Sequence, residues 1–379
     1  MRNRILIALL VVATGVCRGQ ASSTITLRGE DSSLALPTMA AKDGVLYVAY
    51  RSFDLLRFSS QLQVIAYDLN NHRELQHVVI PVPKVHGARA SDGLALSKDG
   101  KTLAYVEAHE PYLVVLLGTK DLSEIRRSNA LPFSDRDHQR LFAGFDGDQL
   151  CLASNYYQYG KPEVNGLRFI RLGASDLKAT SDTKISGVTQ DTSTPIVWQP
   201  LEKTTWVNRP TVGDLWEQYT ESGQKTGQEL THHNALGEGA VPLGDAKLLA
   251  FYGRYADGSV VNYSDHRSSE LKLQCAPHPY GTSPDPAYAG AICTTQRDIL
   301  PEAGGDKIVT SEFLLLKTEG PTVVWRQKMD WLDVRNDAHG IDGGYQKGDP
   351  LIYRAGSKLL IVSPSKSPAL TVYELDSPQ

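Results

Sequence analysis

A short unit that recurs along the chain constrains its fold more than any other feature. The unit consists of an apolar strand, a turn containing Gly or Asp, and a second strand rich in Leu, Val and Tyr. In the clearest copy, residues 93–96 precede the turn 97–101, and residues 102–106 follow it. Because Asp-Gly and similar pairs readily adopt the positive φ angles of tight turns between twisted strands, each copy predicts an antiparallel hairpin.

The copies are regularly spaced. Their turns lie near positions 44, 100, 147, 202, 244, 305 and 356, and a spacing of about 50 residues is typical of β-propeller blades. Further strands are predicted after the hairpins, for example at 62–69, 112–117 and 167–172. The sequence therefore predicts an all-β fold, a single seven-bladed β-propeller of four-stranded blades that occupies residues 22–379 as one domain.

The clearest copy also carries a family resemblance. Residues 93–106 resemble the strand–turn–strand core of the YVTN-type propeller repeat, and the chain is more distantly similar to lactonase-like and WD40-like propellers. The Trp-Asp and Gly-His dipeptides of the WD40 repeat do not occur. The resemblance supports the propeller fold and implies little about function, because propellers include both binding proteins and enzymes.

The C-terminal unit is one strand short of a blade. It supplies strands at 351–353, 359–362 and 369–375 only, which would leave an open sheet edge. Near the other end of the chain, residues 24–27 alternate polar and apolar side chains, as a half-buried strand does. We therefore expect this N-terminal strand to pair with 369–375 and to close the seventh blade. The alternative is a frayed N-terminal tail.

The first residues predict export. Arg2 and Arg4 form a basic head, residues 5–13 are apolar, and residues 15–21 are mostly small. This pattern is typical of a secretory signal peptide, here 1–21 with cleavage after Ala21. The apolar run is shorter than the roughly 20 residues that span a bilayer. Modification of Cys17 as a lipoprotein is the alternative, but Val16 stands where a small residue is expected. The predicted location is secreted or periplasmic.

Charge and hydropathy narrow the choice of partners. Removal of the signal leaves 36 basic against 43 acidic residues, a formal charge of −7. A mildly acidic domain is not expected to bind nucleic acid. Outside the signal no apolar run approaches membrane-spanning length, so no membrane interaction is predicted after its removal. We expect a monomer whose protein, carbohydrate or small-molecule ligand the sequence does not identify.

Three cysteines remain after removal of the signal. Cys275 and Cys293 bracket residues 276–292, a Pro-, Gly- and Tyr-rich stretch without a core pattern. In an oxidising compartment these two cysteines predict a disulfide that closes the stretch as a loop. A metal site from Cys275, His278 and Cys293 is the alternative, but the spacing matches no standard zinc pattern. Cys151 lies in the apolar run 150–153 and is predicted to be a buried, inert thiol.

The predicted register places most histidines on one face of the propeller. That face carries the links between blades and the loops between the second and third strands of each blade. The predicted ligand-binding residues on it are His86, His138, His233, His339, Arg51, Arg254 and Tyr157. Tyr, Arg and His side chains suit anionic or sugar-like ligands, because they offer flat stacking surfaces and directional donors. The alternative is that polar residues simply collect in loops.

No residue constellation identifies a reaction. The chain has no Gly-x-Ser-x-Gly elbow and no His-Glu-x-x-His motif. Gly237-Glu238-Gly239 is interpreted as part of a linker. No catalytic residue, cofactor or metal is therefore predicted. Two function classes remain open: a secreted propeller that binds a ligand on its loop-rich face, and a lactonase-like or metal-assisted hydrolase with its site at the channel mouth.

Overall fold

The structure is a computed structural model. It describes residues 20–29, 37–54, 59–83, 93–107, 113–128, 140–156, 161–189, 196–209, 215–231, 237–244, 247–254, 257–264, 267–298, 307–328, 334–336, 349–365 and 368–376. Among these residues no helix is long and apolar enough to cross a membrane. The described chain is almost entirely strands and the turns that join them.

Seven antiparallel sheets form the blades of a β-propeller. The N-terminal strand and the first three blades are β1 (Gln20–Thr26); β2 (Thr38–Lys42), β3 (Val45–Asp54), β4 (Ser59–Asp68) and β5 (Arg73–Val82); β6 (Gly93–Leu96), β7 (Thr102–Glu107), β8 (Leu113–Gly118) and β9 (Glu124–Ser128); and β10 (Arg140–Asp146), β11 (Gln149–Tyr156), β12 (Gly166–Gly173) and β13 (Ala179–Ser186). A short 3-10 helix, Pro162–Val164, lies between β11 and β12.

The remaining blades follow the same order. They are β14 (Ile196–Gln199), β15 (Thr204–Arg209), β16 (Leu215–Thr220) and β17 (Lys225–Thr231); β18 (Gly237–Gly244), β19 (Lys247–Arg254), β20 (Asp257–Ser264) and β21 (Arg267–Leu273); β22 (Ala276–Pro279), β23 (Tyr288–Asp298), β24 (Lys307–Lys317), β25 (Thr322–Lys328) and β26 (Val334–Asn336); and β27 (Leu351–Ala355), β28 (Lys358–Pro364) and β29 (Ala369–Asp376). In blade 6, β26 pairs with the part of β24 that β25 does not reach.

The N-terminal strand closes the ring, as predicted. β1 pairs antiparallel with β29, with Ile25 opposite Leu370, and becomes the fourth strand of blade 7. Ile25 and Leu27 are buried, and the main-chain N–H of Leu27 donates to the carbonyl of Pro368 over 2.7 Å. The edge of β29 is thereby covered, and β1 becomes the outermost strand of blade 7, which now has four strands.

The hairpins follow the turn chemistry of the sequence. Between β2 and β3, Asp43 and Gly44 have φ angles of 50° and 79°, the pair of positive values that a tight two-residue hairpin needs. The predicted turn near position 202 joins β14 to β15, and these two strands belong to a complete four-stranded blade.

Blade 6 differs from its prediction. The predicted turn near 305 lies outside the described residues, between β23 and β24, which are the second and third strands of the sheet. The first hairpin joins β22 to β23 and includes the stretch 276–292, which was expected to be a loop. Pro277 and Pro279 explain the error, because proline is typical of turns and donates no ladder hydrogen bond. Gly237-Glu238-Gly239 was also assigned wrongly, since these residues begin β18.

The core lies between the blades. Strand side chains alternate, so each blade packs one face against the preceding blade and the other against the next. Leu46, Val48 and Tyr50 of blade 1 pack with Leu360 and Val362 of blade 7. Between blades 4 and 5 the fully buried pair is Trp206 and Trp216. Burial of these side chains on both faces of each sheet holds the ring together.

The outer strands of four blades each contain a β-bulge. In four blades, one residue of the outer strand has no partner in the ladder: Leu75, Ile125, Thr180 and Val324. A bulge bends the edge and interrupts its row of main-chain groups, which disfavours pairing with another chain. Leu75 and Ile125 are about half exposed, at 47% and 54%. The bulges therefore interrupt the outer edges of these four blades.

Candidate functional site

The two faces of the propeller differ in their connections. We call the lower face the side with the turns between first and second and between third and fourth strands. The upper face carries the links between blades and the loops between second and third strands. Lower-face turns can be as short as Asp43-Gly44 and Gly147-Asp148, whereas the upper-face links include residues 83–92 and 129–139. Long connections on a rigid scaffold are where binding residues usually lie.

Most of the predicted ligand-binding residues fall in these connections. His86, His138, His233, His339 and Tyr157 lie outside the described residues. Arg254 is the last residue of β19, at its upper-face end. Arg51 lies in the upper part of β3, and its side chain is described. The placement of the histidines on one face therefore stays a prediction. For Arg51, the structure shows the contacts of the side chain.

Arg51 bridges blades 1 and 2. Its Nε and Nη2 donate to the two carboxylate oxygens of Glu107, at the end of β7, and its Nη1 donates to the carbonyl of Pro83 over 2.9 Å. Tyr105 Oη also donates to Glu107, over 2.6 Å. The Glu107 side chain is only 4% exposed, so these donors replace the water that its oxygens would contact at the surface. The Arg51 guanidinium is already engaged in a forked ion pair.

A similar cluster joins blades 3 and 4. Arg209, at the end of β15, pairs with Glu217 over 3.2 Å and donates from Nη2 to the carbonyl of Gly187 over 3.0 Å. Tyr219 Oη and Lys225 Nζ also donate to Glu217. Burial acts to raise the pKa of Glu217, but the hydrogen bonds from Lys225 and Tyr219 outweigh it and lower the pKa. Glu217 is therefore an ionised, fully engaged carboxylate.

The two clusters have the same kinds of partners, although Glu107 lies on the next blade and Glu217 on the same blade as its arginine. In each, an arginine near the upper end of a second strand binds a buried glutamate and a main-chain carbonyl. The carbonyls belong to Pro83 and Gly187, which stand where the links after β5 and β13 begin. At Arg51 the two bonds to Glu107 form a charge-assisted fork, which fixes direction as well as distance. We call these clusters the arginine clamps. They hold the beginnings of two upper-face links against the ring.

Blade 3 presents a third polar group near the upper face. Tyr156 Oη and Ser186 Oγ are hydrogen-bonded at 2.7 Å, and Lys184 Nζ lies 5.5 Å from the centre of the Tyr156 ring. A cation at this distance from an aromatic face is attracted to it. Arg168 makes a two-pronged ion pair with Asp182 beside them. Tyr156 ends β11 next to the predicted ligand residue Tyr157, and the sequence gave no signal for the partners of Tyr156.

The lower face has a structural network. Arg171 of β12 donates to Asp146 at 2.8 Å, to Glu221 at 2.8 Å and to Cys151 Sγ at 3.1 Å. Trp198 Nε1 donates to Glu221 as well, over 3.2 Å. Burial raises the pKa of the Cys151 thiol to about 11. The prediction that Cys151 is a buried thiol is confirmed, and the network joins blade 3 to blade 4.

The predicted disulfide is present. Cys275 and Cys293 are bonded, both are buried, and their Cα atoms are 5.5 Å apart. Cys275 precedes β22 and Cys293 lies in β23, so the bond joins the first two strands of blade 6 instead of closing a loop. Within the described part of the chain, no group of three or more His, Cys, Asp or Glu side chains could hold a metal ion.

Comparisons with known proteins support the fold alone. No protein-family model matches the sequence, and no curated protein is similar to it. Among solved structures, the chain is similar to one in the crystal structure of the mitotic checkpoint complex, at 10% identity over 99% of this chain and 100% of the other, with a TM-score of 0.52. The structure of U3-55K is similar at 11% identity over 95% and 100%, with a TM-score of 0.51.

A third similar structure consists of WD40 repeats. The crystal structure of the RRP9 WD40 repeats matches at 11% identity over 95% of this chain and 100% of that one, with a TM-score of 0.50. The chain is a seven-bladed β-propeller. Structural neighbours of the WD40 type agree with that fold, while the more specific resemblance to YVTN-type and lactonase-like repeats stays a prediction. At such low identity the likeness carries no function.

Proposed function

We propose that this chain is an exported β-propeller that binds a ligand on its upper face. The proposal is supported above all by the difference between the two faces. The longer links leave the ring on one face, and two of them begin at carbonyls held by the arginine clamps. A rigid ring that presents connections with fixed starting points is preorganised for binding, which lowers the entropy lost on association.

The residues of those connections suggest the ligand chemistry. His86, His138, His233 and His339 lie in links between blades, and Arg254 ends a strand at the same face. Imidazole and guanidinium groups donate directional hydrogen bonds to carboxylates and to sugar hydroxyls. The proposed ligand is therefore anionic or sugar-like, and an acidic polysaccharide combines both properties.

Affinity electrophoresis can test this function. We expect the protein without residues 1–21 to be retarded in gels containing polygalacturonate and to run unhindered in gels containing neutral dextran. Replacing His233 and Arg254 together by Ala should reduce the retardation at least about tenfold, as expected for loss of about 1.4 kcal/mol of binding. The melting temperature should not change.

A matched variant removes a positive charge elsewhere. Arg126→Ala, at an exposed position of the outer strand β9, should bind like the parent. Equal losses in the two variants would show only a general charge effect and would contradict an upper-face site. Hydrolysis of lactones or esters that EDTA abolishes would favour the hydrolase instead.

A further inference from the structure

The closing strand contains the predicted cleavage site. In the ladder between β1 and β29, Gln20 is opposite Glu374 and Ala21 is opposite Tyr373. The next pair is Ser23 with Val372, so Ser22 is an extra, bulged residue. The bond between Ala21 and Ser22, where the export signal is predicted to end, therefore lies inside a paired strand.

Blade 1 holds the same strand from its other side. The main-chain N–H of Arg28 donates to Tyr50 Oη over 2.7 Å, and Tyr50 Oη donates to the carbonyl of Arg28 over 2.9 Å. His72, in the lower-face turn of blade 1, contacts Ser23 Oγ at 3.2 Å and Glu374 at 2.9 Å. Undocking β1 thus breaks contacts with two blades and exposes buried Ile25 and Leu27.

A docked strand is a poor protease substrate. Proteases cut chain that is free of its ladder, and a paired segment is cut only through local opening. The rate of cutting then falls with the fraction of molecules that are open. As long as β1 is docked, the contacts of Ile25, Leu27 and Arg28 keep that fraction low.

From this juxtaposition we infer that the export signal is removed while β1 is not yet paired with β29, and that the ring closes only after this cleavage. The inference rests on the proposed export. An endopeptidase that removes export signals adds one water across the Ala21–Ser22 bond, which leaves a carboxylate on Ala21 and an ammonium group on Ser22. Until then, blade 7 has three strands and β29 has an open edge.

The register of β1 suits this order of events. Cleavage after Ala21 removes only the two ladder positions beyond the bulge, Gln20 and Ala21. The regular pairing from Ser23 to Thr26 remains, together with the contacts of Ile25 and Leu27. The same short segment therefore serves first as the protease recognition sequence and then as the strand that completes the ring.

The test uses the full chain, residues 1–379. The chain is purified in urea, and purified signal peptidase in detergent is added either at the moment of dilution or after refolding. Melting curves establish that the second sample is folded, and mass spectrometry identifies the new N-terminus. We expect cleavage at Ser22 in the first sample, and cleavage at least about tenfold slower in the second because opening limits it.

Two neighbouring substitutions on β1 provide the control. Ile25 is buried and Thr24 is exposed. Ile25→Asp should undock the strand and restore rapid cleavage of the refolded chain, whereas Thr24→Asp should stay as slow as the parent. Equal rates for the two variants, or rapid cleavage of the refolded parent, would overturn the proposed order and leave export standing. An unfolded chain that is not cut after Ala21 would overturn export as well.

Discussion

Glu107 and Arg51 show how single residues join the blades. Glu107 is the more deeply buried of the two charges, at 4% against 20% side-chain exposure. Arg51→Gln leaves a buried carboxylate with fewer donors and should lower the unfolding free energy by about 2–4 kcal/mol. This is less than the usual loss for breaking a fully buried ion pair, because Arg51 keeps some solvent contact. Glu107→Gln should lower the unfolding free energy by less than Arg51→Gln does. The variant with both substitutions should be more stable than Arg51→Gln alone. Urea unfolding measures all three.

The pair Arg127–Glu124 is the matched control, because it has a similar forked geometry with one bond at 2.6 Å, while Glu124 is 37% exposed against 4% for Glu107. Arg127→Gln should change the unfolding free energy by about 1 kcal/mol or less. If Arg51→Gln is as mild as this, the clamp does not contribute to stability as the geometry indicates.

At the scale of elements, the disulfide compensates for a weak strand. β22 is four residues long and contains Pro277 and Pro279, which have no N–H to donate to β23. Cys275→Ala with Cys293→Ala should therefore lower the unfolding free energy by about 3 kcal/mol, the usual contribution of such a cross-link. Differential scanning calorimetry with and without a reductant measures the effect. A reductant should lower the melting temperature of the parent and leave the double variant unchanged; a parent that is insensitive to reductant would refute the role.

At the scale of the whole molecule, closure of the ring by β1 protects the edge of β29. Deleting residues 22–28 removes the ladder with β29 and the buried side chains of Ile25 and Leu27. We expect a lower melting temperature and association of the truncated protein through the open edge. Calorimetry and size-exclusion chromatography measure the two effects. If the truncated protein melts like the parent and stays monomeric, then blades 1–6 and the three remaining strands of blade 7 are enough for a stable, monomeric ring.

The amino-acid sequence by itself determined the repeat, the fold and its closure, because those depend on local signals: Asp-Gly turns, alternating side chains and a regular spacing. The Cys275–Cys293 pair was also predictable, because the predicted export signal implies an oxidising compartment. Local signals failed at β22, where prolines made a strand look like a loop.

Only the tertiary structure decided which charged residues meet. Arg51 and Glu107 are 56 residues apart, and Arg171 and Glu221 are 50 apart, so each pair joins adjacent blades about one repeat apart. An isolated Glu at the end of an apolar strand, such as Glu107, signals only that some partner is needed. Its partner depends on how neighbouring blades twist and stack, because that packing decides which side chains from different repeats come within hydrogen-bonding distance.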